Sequence, residues 1–203
     1  MIRTIKMLDV PRVAEIHVYG WRNAYRGIVS DDYLFKKMLV SERIKRFEQS
    51  IHDNATETYV YDDGIIKAFM TIGACRDDDK KSSFELWGLY VDPFMQRQGI
   101  GTQMVGFCEK QAIIRGFNNI CLWVLAKNSA SRAFYKKMGY MPDGAEKLLE
   151  HLSSNVIRYE KQFGSNIYCE RETSSKFIQV SRSQQPKVHT VTAVCDRLQY
   201  KTM

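Results

Sequence analysis

The sequence lacks any long hydrophobic run. No stretch approaches 18 uninterrupted apolar residues, and the first ten residues, MIRTIKMLDV, do not contain the apolar segment of a signal peptide. A membrane-spanning protein and an exported protein are therefore both disfavoured. We expect a cytoplasmic protein that does not act at a membrane.

Spacings typical of metal ligands and of disulfide frameworks are also absent. The five cysteines never form a C-x-x-C pair, and the four histidines show no ligand spacing. We therefore expect free thiols and no bound metal. The cysteines are Cys75, Cys108, Cys121, Cys169 and Cys195.

Dense basic clusters are missing although the formal net charge is +7. Residues 1–163 carry 24 Lys and Arg against 20 Asp and Glu, residues 164–203 carry 6 against 3, and no run of four basic residues occurs. Proteins that bind a phosphate backbone concentrate their positive charge on one face. Nucleic-acid binding is therefore disfavoured.

What is present is the composition of one folded domain: 44% hydrophobic and 26% charged residues in a chain of 203. Apolar periodicity predicts an order in which strands and helices are interspersed along the chain, complete by about Phe163. The predicted strands are Ile2–Lys6, Glu57–Tyr61, Ile65–Ala74, Phe84–Val91, Asn119–Leu125 and Asn155–Phe163, the last paired with a strand near Tyr140. The predicted helices run from Asp9 to about Trp21, from Asp31 to Met38, from Glu42 to Ile51, from Gly99 to Gly116 and from about Asn128 to Met138.

This order indicates an α/β or α+β domain with a mixed sheet over residues 1–163. Residues 164–203 form an extension, with 14 apolar residues in 40 and no helical periodicity. Ile178–Ser181 and Val188–Val194 have strand-like composition, so the extension is either an ordered arm, able to exchange with a second copy in a homodimer, or a loose tail.

The segment Gln96–Gly101 has the form [Q/R]-x-x-G-x-[G/A] and lies between a predicted strand and a predicted helix. Glycine at 99 and 101 lets an anion approach the backbone, where unpaired N–H groups and the positive end of the helix dipole stabilise its charge. The arrangement favours a ligand that carries phosphate. The alternative is a turn that only packs a helix on a strand.

This segment resembles motif A of the GCN5-related N-acetyltransferases, the GNAT superfamily, in which the loop holds the pyrophosphate of acetyl-CoA. Four further segments also resemble parts of this family, and they occur along the chain in the order that the family has. Phe84–Pro93 looks like the central strand with its V-x-P ending, and Asn128–Tyr140 is similar to motif B, N-x-x-[A/S]-x-x-[F/L]-Y-x-[K/R]-x-G-[F/Y]. Trp21–Ile28 resembles the substrate-side segment of small bacterial members, and Val156–Phe163 resembles the closing strand.

The resemblance implies a mixed, mostly antiparallel central sheet flanked by helices. Its two parallel central strands would splay apart near Leu89–Val91 and Leu125–Lys127 and admit the pantetheine arm of acetyl-CoA, the implied cosubstrate. Backbone groups of Leu89 and Val91 would bind pantetheine, and the Leu89 amide would polarise the thioester carbonyl. The implied acetyl-CoA-binding residues are Leu89, Tyr90, Val91, Gln96, Arg97, Gln98, Gly99, Ile100, Gly101, Thr102, Asn128, Ser131 and Tyr135.

Direct acetyl transfer needs a base, because a protonated amine cannot attack a thioester. Glu85 matches the position at which the GCN5 branch of the family carries its glutamate base. The alternative for Glu85 is a surface glutamate on the opposite pleat. Glu57, Asp31 and Asp32 stay open as rival bases.

Tyr135 matches the motif B tyrosine that lies near the sulfur, which implies that it protonates the departing CoA thiolate. Its alternative is ordinary packing, although it lies off the expected core stripe of Ala130, Phe134 and Met138. The aromatic residues that fall where family members place a substrate pocket are Trp21, Tyr25 and Tyr33, with core packing as their alternative. The acidic cluster Asp77–Asp79 would favour a cationic acceptor if it lined the cleft, and is otherwise solvated.

The resemblance as a whole implies an acetyl-CoA-dependent N-acetyltransferase that moves acetyl directly to a primary amine of a small molecule or peptide. A non-catalytic acyl-CoA-binding regulatory module is the alternative. Family members acetylate many kinds of amine on one scaffold, so the sequence leaves the acceptor open.

Overall fold

The computed structural model describes residues 1–164, which form one seven-stranded sheet and four helices. The strands are β1 (Ile2–Thr4), β2 (Glu57–Asp62), β3 (Ile66–Ala74), β4 (Phe84–Val91), β5 (Asn119–Leu125), β6 (Met141–Leu149) and β7 (Ser154–Gln162). The helices are α1 (Val10–Ala24), α2 (Val40–His52), α3 (Ile100–Ile114) and α4 (Ser129–Lys137). Residues 165–203, which hold nearly all of the predicted extension and both of its strand-like segments, lie outside the described residues.

The sheet has the strand order β1-β2-β3-β4-β5-β7-β6. Every neighbouring pair is antiparallel except β4 and β5, which are parallel. The predicted fold class, a mixed and mostly antiparallel sheet flanked by helices, is therefore confirmed. None of the helices within residues 1–164 is long and apolar enough to span a bilayer.

Alternate residues of the central strands face opposite sides of this sheet and build two apolar clusters. On β5, Ile120 and Leu122 belong to the cluster under α3, whereas Trp123 and Leu125 belong to the cluster under α1. We call these the α3-side cluster and the α1-side cluster. A fully buried apolar side chain contributes about 1.5–3 kcal/mol, so both faces stabilise the sheet and fix the strands that carry the site.

The local predictions were confirmed where a turn or cap residue set the conformation. Gly64, in the β2–β3 hairpin, has φ of +108°, and its N–H donates to the Asp62 carboxylate at 3.0 Å. The predicted helix Asp31–Met38 is confirmed as a helical segment over residues 31–37, although Tyr33–Lys37 has π-helical rather than α-helical hydrogen bonding. The strand predicted near Tyr140 is confirmed as β6, which pairs with the last strand. It spans nine residues, and its many polar positions and Gly144 hid most of this length from an apolar pattern.

Candidate active site

The parallel strands β4 and β5 separate almost as soon as they meet. Their register holds only two pairs, Phe84 with Ile120 and Glu85 with Cys121. A bulge opposite Thr71 and Ile72 of β3 interrupts β4 at the same level and bends the strand. The predicted separation near Leu89–Val91 therefore lies too late in the chain: the gap opens directly after Glu85.

The backbone of β4 faces this gap at alternate residues. The Asp92 N–H donates to the Lys67 carbonyl oxygen at 2.8 Å, which marks a hydrogen-bonded pair of the β3–β4 ladder. Because such pairs alternate with non-hydrogen-bonded pairs, the N–H and C=O groups of Leu89 and Val91 point away from β3. They point toward β5, which has no residue paired with β4 at this level. The gap is therefore lined by backbone donors and acceptors.

The loop before α3 has the backbone conformation that the motif predicted. Gly99 is the N-cap of α3 with φ of +75°, and Arg97 is a non-glycine residue with φ of +64°. The N-cap Gly99 has no side chain that could accept from the start of the helix, so the first N–H groups of α3 stay available to an anion. Ile100 is buried in the α3-side cluster and anchors the loop.

A cleft of about 510 Å³ joins this loop to the end of α1 and the start of α4. Its lining residues are Asn23, Ala24, Pro93, Gln96, Arg97, Asn128 and Ala130. Asn128 is the N-cap of α4, and its side-chain oxygen accepts from the Ser131 N–H at 3.1 Å. Capping thus fixes the start of α4 against the cleft, and the predicted residues from the two motifs meet there.

Tyr135 is fully buried, and its hydroxyl has no hydrogen-bond partner among residues 1–164. Burial raises the pKa of this phenol well above its usual value, and Cys108 adds to the effect. Its ring packs on Phe134 and Tyr140, with centroids 5.0 Å and 5.8 Å away. The expectation that Tyr135 lies off the packed stripe is therefore wrong: both Phe134 and Tyr135 belong to the α3-side cluster.

Glu85 is only 1% exposed, which rules out the alternative that it is a surface glutamate. Both of its carboxylate oxygens bind Arg76. The Arg76 backbone N–H and Nε donate to Oε2 at 3.0 Å and 3.3 Å, and Nη2 donates to Oε1 at 2.8 Å. The Arg76 guanidinium also lies 4.4 Å from the centroid of the Trp87 ring. The candidate base is thus a buried carboxylate with an arginine partner that sequence reasoning missed.

The rival bases do not share this environment. Glu57 lies exposed on β2 and pairs with Arg115, whose guanidinium donates to both oxygens at 2.7 Å and 2.6 Å and lowers the pKa of the carboxyl. Asp31 and Asp32 are exposed in the segment after α1. Asp31 lines a second cleft, of about 520 Å³, formed by residues 26–31.

The three predicted pocket aromatics lie together but differ in burial. Trp21 and Tyr25 are buried in the α1-side cluster with ring centroids 4.8 Å apart, which fits their core-packing alternative. Trp21 Nε1 donates to the Tyr90 hydroxyl at 2.9 Å, so the Tyr90 side chain points into this cluster and away from the α3 side. Tyr33 is half-buried between Trp21 and His151, with centroids at 5.8 Å and 6.1 Å.

The acidic cluster is only partly solvated, because Asp77 is buried whereas the Asp78 side chain is 98% exposed. Arg158 of β7 is 4% exposed and binds three carboxylates, those of Asp77 (3.1 Å), Asp79 (2.6 Å) and Asp143 (2.6 Å). Trp123 Nε1 also donates to Asp77, at 2.8 Å. These contacts hold the segment between β3 and β4 across the sheet, and they place Arg76 on Glu85. Sequence reasoning missed this network, because Arg158 and Asp77 lie 81 positions apart in the chain.

Comparison with known proteins agrees with this architecture. The family model described as the acetyltransferase (GNAT) family matches residues 21–140. The chain belongs to the GNAT family. It is therefore an acyltransferase, and acetyl transfer is its general chemistry. Within residues 1–164, no group of three or more His, Cys, Asp or Glu side chains is arranged to hold a metal ion.

Two curated GNAT relatives cover most of the described chain. An uncharacterized N-acetyltransferase, YuaI of Bacillus subtilis, is 28% identical over 145 residues, 70% of this chain and 79% of the relative. A protein of Mycobacterium tuberculosis named as a probable N-acetyltransferase, Rv2775, is 29% identical over 146 residues, 70% of this chain and 80% of its own length.

Solved structures share the fold at lower identity. PaiA N-acetyltransferase from Thermoplasma acidophilum, in complex with coenzyme A, has a TM-score of 0.63 at 20% identity and covers 80% of this chain and 98% of its own. YncA from Salmonella typhimurium, solved with its cofactor acetyl-CoA, has a TM-score of 0.59 at 17% identity and covers 82% and 95%.

Proposed function

We propose that this GNAT protein transfers the acetyl group of acetyl-CoA directly to a primary amine of a small molecule or peptide. The observation that carries the proposal is the early opening of the gap between β4 and β5, together with a helix α3 that starts at Gly99 shortly after β4 ends. The relatives named as N-acetyltransferases support the reaction class, and the neighbours solved with coenzyme A or acetyl-CoA support the cosubstrate.

The loop and the open edge of β4 are the proposed acetyl-CoA site. The first N–H groups of α3 donate to the pyrophosphate, and the absence of a side chain at Gly99 leaves the backbone accessible. Leu89 and Val91 supply backbone groups to the pantetheine arm. A backbone N–H aimed at the thioester oxygen stabilises the charge that develops there, an effect worth about 10²–10³ in rate.

Glu85 is the proposed general base, acting through a water molecule. Its carboxylate is too deeply buried to reach a substrate amine directly, and Arg76 donates hydrogen bonds to both of its oxygens. A bridging water then takes the proton from the ammonium group and passes it toward Glu85. The amine is neutral when it attacks the carbonyl carbon.

Tyr135 is the proposed donor to the departing sulfur. The raised pKa of its phenol keeps the hydroxyl protonated near neutral pH, and no residue among 1–164 competes for its proton. A buried hydroxyl without a partner costs free energy that a ligand atom at this position would offset. The departing thiolate is such an atom.

The test is release of the CoA thiol from acetyl-CoA in the presence of amines, peptides and aminoglycosides, with calorimetric acetyl-CoA binding on the same sample. We expect binding, and release that depends on an amine. Absence of acetyl-CoA binding would overturn the proposal. Tight binding without release across the whole panel would instead favour the alternative, a non-catalytic acyl-CoA-binding module.

A further inference from the structure

Two thiols lie side by side next to Glu85. The Sγ atoms of Cys75 and Cys121 are 3.3 Å apart, and the Cys121 thiol donates to the Cys75 sulfur. Cys121 is the cross-strand partner of Glu85 on β5, and Cys75 directly follows β3. A disulfide bond is about 2.05 Å long, so the two sulfur atoms lie about 1 Å beyond bonding distance.

The two thiols are not equivalent. Cys75 is 8% exposed and Cys121 is 1% exposed, so a small oxidant reaches Cys75 first. Donation by Cys121 stabilises the thiolate of Cys75 and lowers its pKa, and the same hydrogen bond raises the pKa of Cys121. The thiolate is the reactive form of cysteine. Cys108 is fully buried and burial raises its pKa, which makes it an internal reference thiol.

We propose that Cys75 and Cys121 form an oxidation site for hydroperoxides, with Cys75 as the attacking thiol and Cys121 as the resolving thiol. The Cys75 thiolate attacks one peroxide oxygen, the O–O bond breaks, and Cys75 becomes a sulfenic acid while hydroxide leaves. The Cys121 sulfur then attacks the Cys75 sulfur, the S–S bond forms, and the sulfenic oxygen leaves as water with the Cys121 proton. Two thiols are oxidised to a disulfide and one hydrogen peroxide is reduced to two waters.

The disulfide would link the segment after β3 to β5 across the end of β4 that carries Glu85. Arg76, the next residue after Cys75, holds both oxygens of that carboxylate. Fixing the segment fixes the ion pair and hinders proton transfer at Glu85. This consequence rests on the proposed function, whereas the disulfide itself does not.

The experiment uses the full chain with Cys169→Ser and Cys195→Ser, so that only the three described cysteines remain. The protein is treated with hydrogen peroxide, and disulfides are mapped by mass spectrometry before and after a dithiol reductant. We expect loss of two of the three thiols, one cross-link between the peptides of Cys75 and Cys121, reversal by the reductant, and a reduced Cys108.

Single variants separate the two roles. In Cys121→Ser, Cys75 should accumulate as a sulfenic acid that a dimedone probe labels, whereas in Cys75→Ser the probe should not label Cys121. Peroxide treatment should lower kcat/KM by about tenfold or more in the parent chain and leave the Cys75→Ser/Cys121→Ser chain unaffected.

Other outcomes overturn the proposal. The proposal that Cys75 and Cys121 are attacking and resolving thiols is contradicted by any of three results. These are persistence of both thiols in peroxide, a cross-link to Cys108, and equal dimedone labelling of Cys75 with and without Cys121. If a serine variant does not fold, the disulfide map of the parent chain decides alone. A cross-link without loss of turnover would reject only the proposed effect on Glu85. Absence of any turnover before oxidation would count against the proposed function, but it would not affect the evidence for the disulfide.

Discussion

Tyr135 and Tyr140 both bury their hydroxyl groups in the α3-side cluster. The two residues differ in their position relative to the cleft. Tyr135 lies on α4, about two turns from the Asn128 cap that borders the cleft, whereas Tyr140 follows the helix. Burial raises the pKa of both phenols. Burial alone therefore does not identify the proton donor, and position relative to the cleft does.

Removing the Tyr135 hydroxyl tests this distinction. We expect Tyr135→Phe to lower kcat by about 10²-fold or more, because proton donation by a positioned group contributes 10²–10⁴. Unfolding free energy should stay the same or rise, since an unpartnered hydroxyl leaves the core. Tyr140→Phe is the matched control and should keep full CoA release. Equal losses in the two variants would show that packing, not proton donation, is affected.

Glu85 and Arg76 form the ion pair on which the base role depends. Glu85→Gln keeps the side-chain shape and removes the charge, so we expect kcat/KM to fall by about 10²–10⁴ if this carboxylate moves a proton. Arg76→Lys should retain part of the activity, because it retains the charge. The control is Glu57→Gln, which removes an exposed carboxylate with a similar two-oxygen arginine partner and should leave kcat/KM unchanged. Full turnover of Glu85→Gln would remove Glu85 from the mechanism.

His17 gives stability a dependence on pH. Its ring is fully buried among aromatic rings of the α1-side cluster, and burial lowers its pKa well below 6.5, with Arg43 and Arg46 adding to the effect. The unfolded chain therefore binds a proton below about pH 6.5 that the folded chain does not bind, and stability falls as pH decreases through this range.

We expect the contribution of His17 to the free energy of unfolding to be constant above pH 6.5. Between pH 6.5 and 5 this contribution should fall by up to about 1.4 kcal/mol per pH unit. Urea unfolding at several pH values measures the slope. His17→Phe should reduce the slope, and His52→Gln, which removes an exposed ring, should keep it. An unchanged slope in His17→Phe would assign the effect to other groups.

At the element scale, the start of α3 and the hairpin β2–β3 both use a glycine with positive φ, for different reasons. Gly64 relieves strain in an exposed turn, whereas Gly99 both relieves strain and leaves the helix start open. Neither position has a close steric neighbour within the described residues, since a Cβ at Gly64 would meet nothing within 4 Å and one at Gly99 only Gln103 at 4.0 Å. The two sites therefore form a matched pair.

Gly99→Ala and Gly64→Ala should each lower unfolding free energy by about 1 kcal/mol, because an L-residue in this region is strained by about 1–2 kcal/mol. Only Gly99→Ala should weaken acetyl-CoA binding, by about tenfold, a cost of about 1.4 kcal/mol. Calorimetric titration of both variants measures the difference. Equal affinities would mean that the loop does not approach the ligand closely.

At the scale of the whole molecule, residues 1–164 contain every element on which the proposed site depends. β7 ends at Gln162 and lies between β5 and β6, so all seven strands of the described sheet are formed by that point. Both apolar clusters are built from residues up to Phe163. We propose that residues 1–163 are the acetyltransferase domain and that the extension has a separate role.

A chain cut after Gly164 tests this division. We expect it to fold and to bind acetyl-CoA with the affinity of the full chain, as judged by circular dichroism and calorimetry. If the extension exchanges between two copies, sizing should also show a dimer that becomes a monomer on truncation. Loss of acetyl-CoA binding would place part of the site in the extension.

Local features of the sequence determined the order of elements, the loop before α3 and the family. Gly99 required positive φ, Asn128 capped α4, and the apolar run of β5 predicted burial on both faces; each rests on neighbours within a few positions in the chain. The acetyl-CoA-binding and catalytic roles of these residues stay predictions, since they came from the family resemblance.

Only the tertiary structure decided which charged and sulfur-bearing groups meet. Arg76 with Glu85, Cys75 with Cys121 and Asp77 with Arg158 are contacts between different elements, the last two between residues 46 and 81 positions apart. Periodicity assigns a face to each residue but not a partner on another strand. Strand order, the β4 bulge and the early separation of β4 from β5 set those partners, because they follow from how two apolar clusters pack on one twisted sheet.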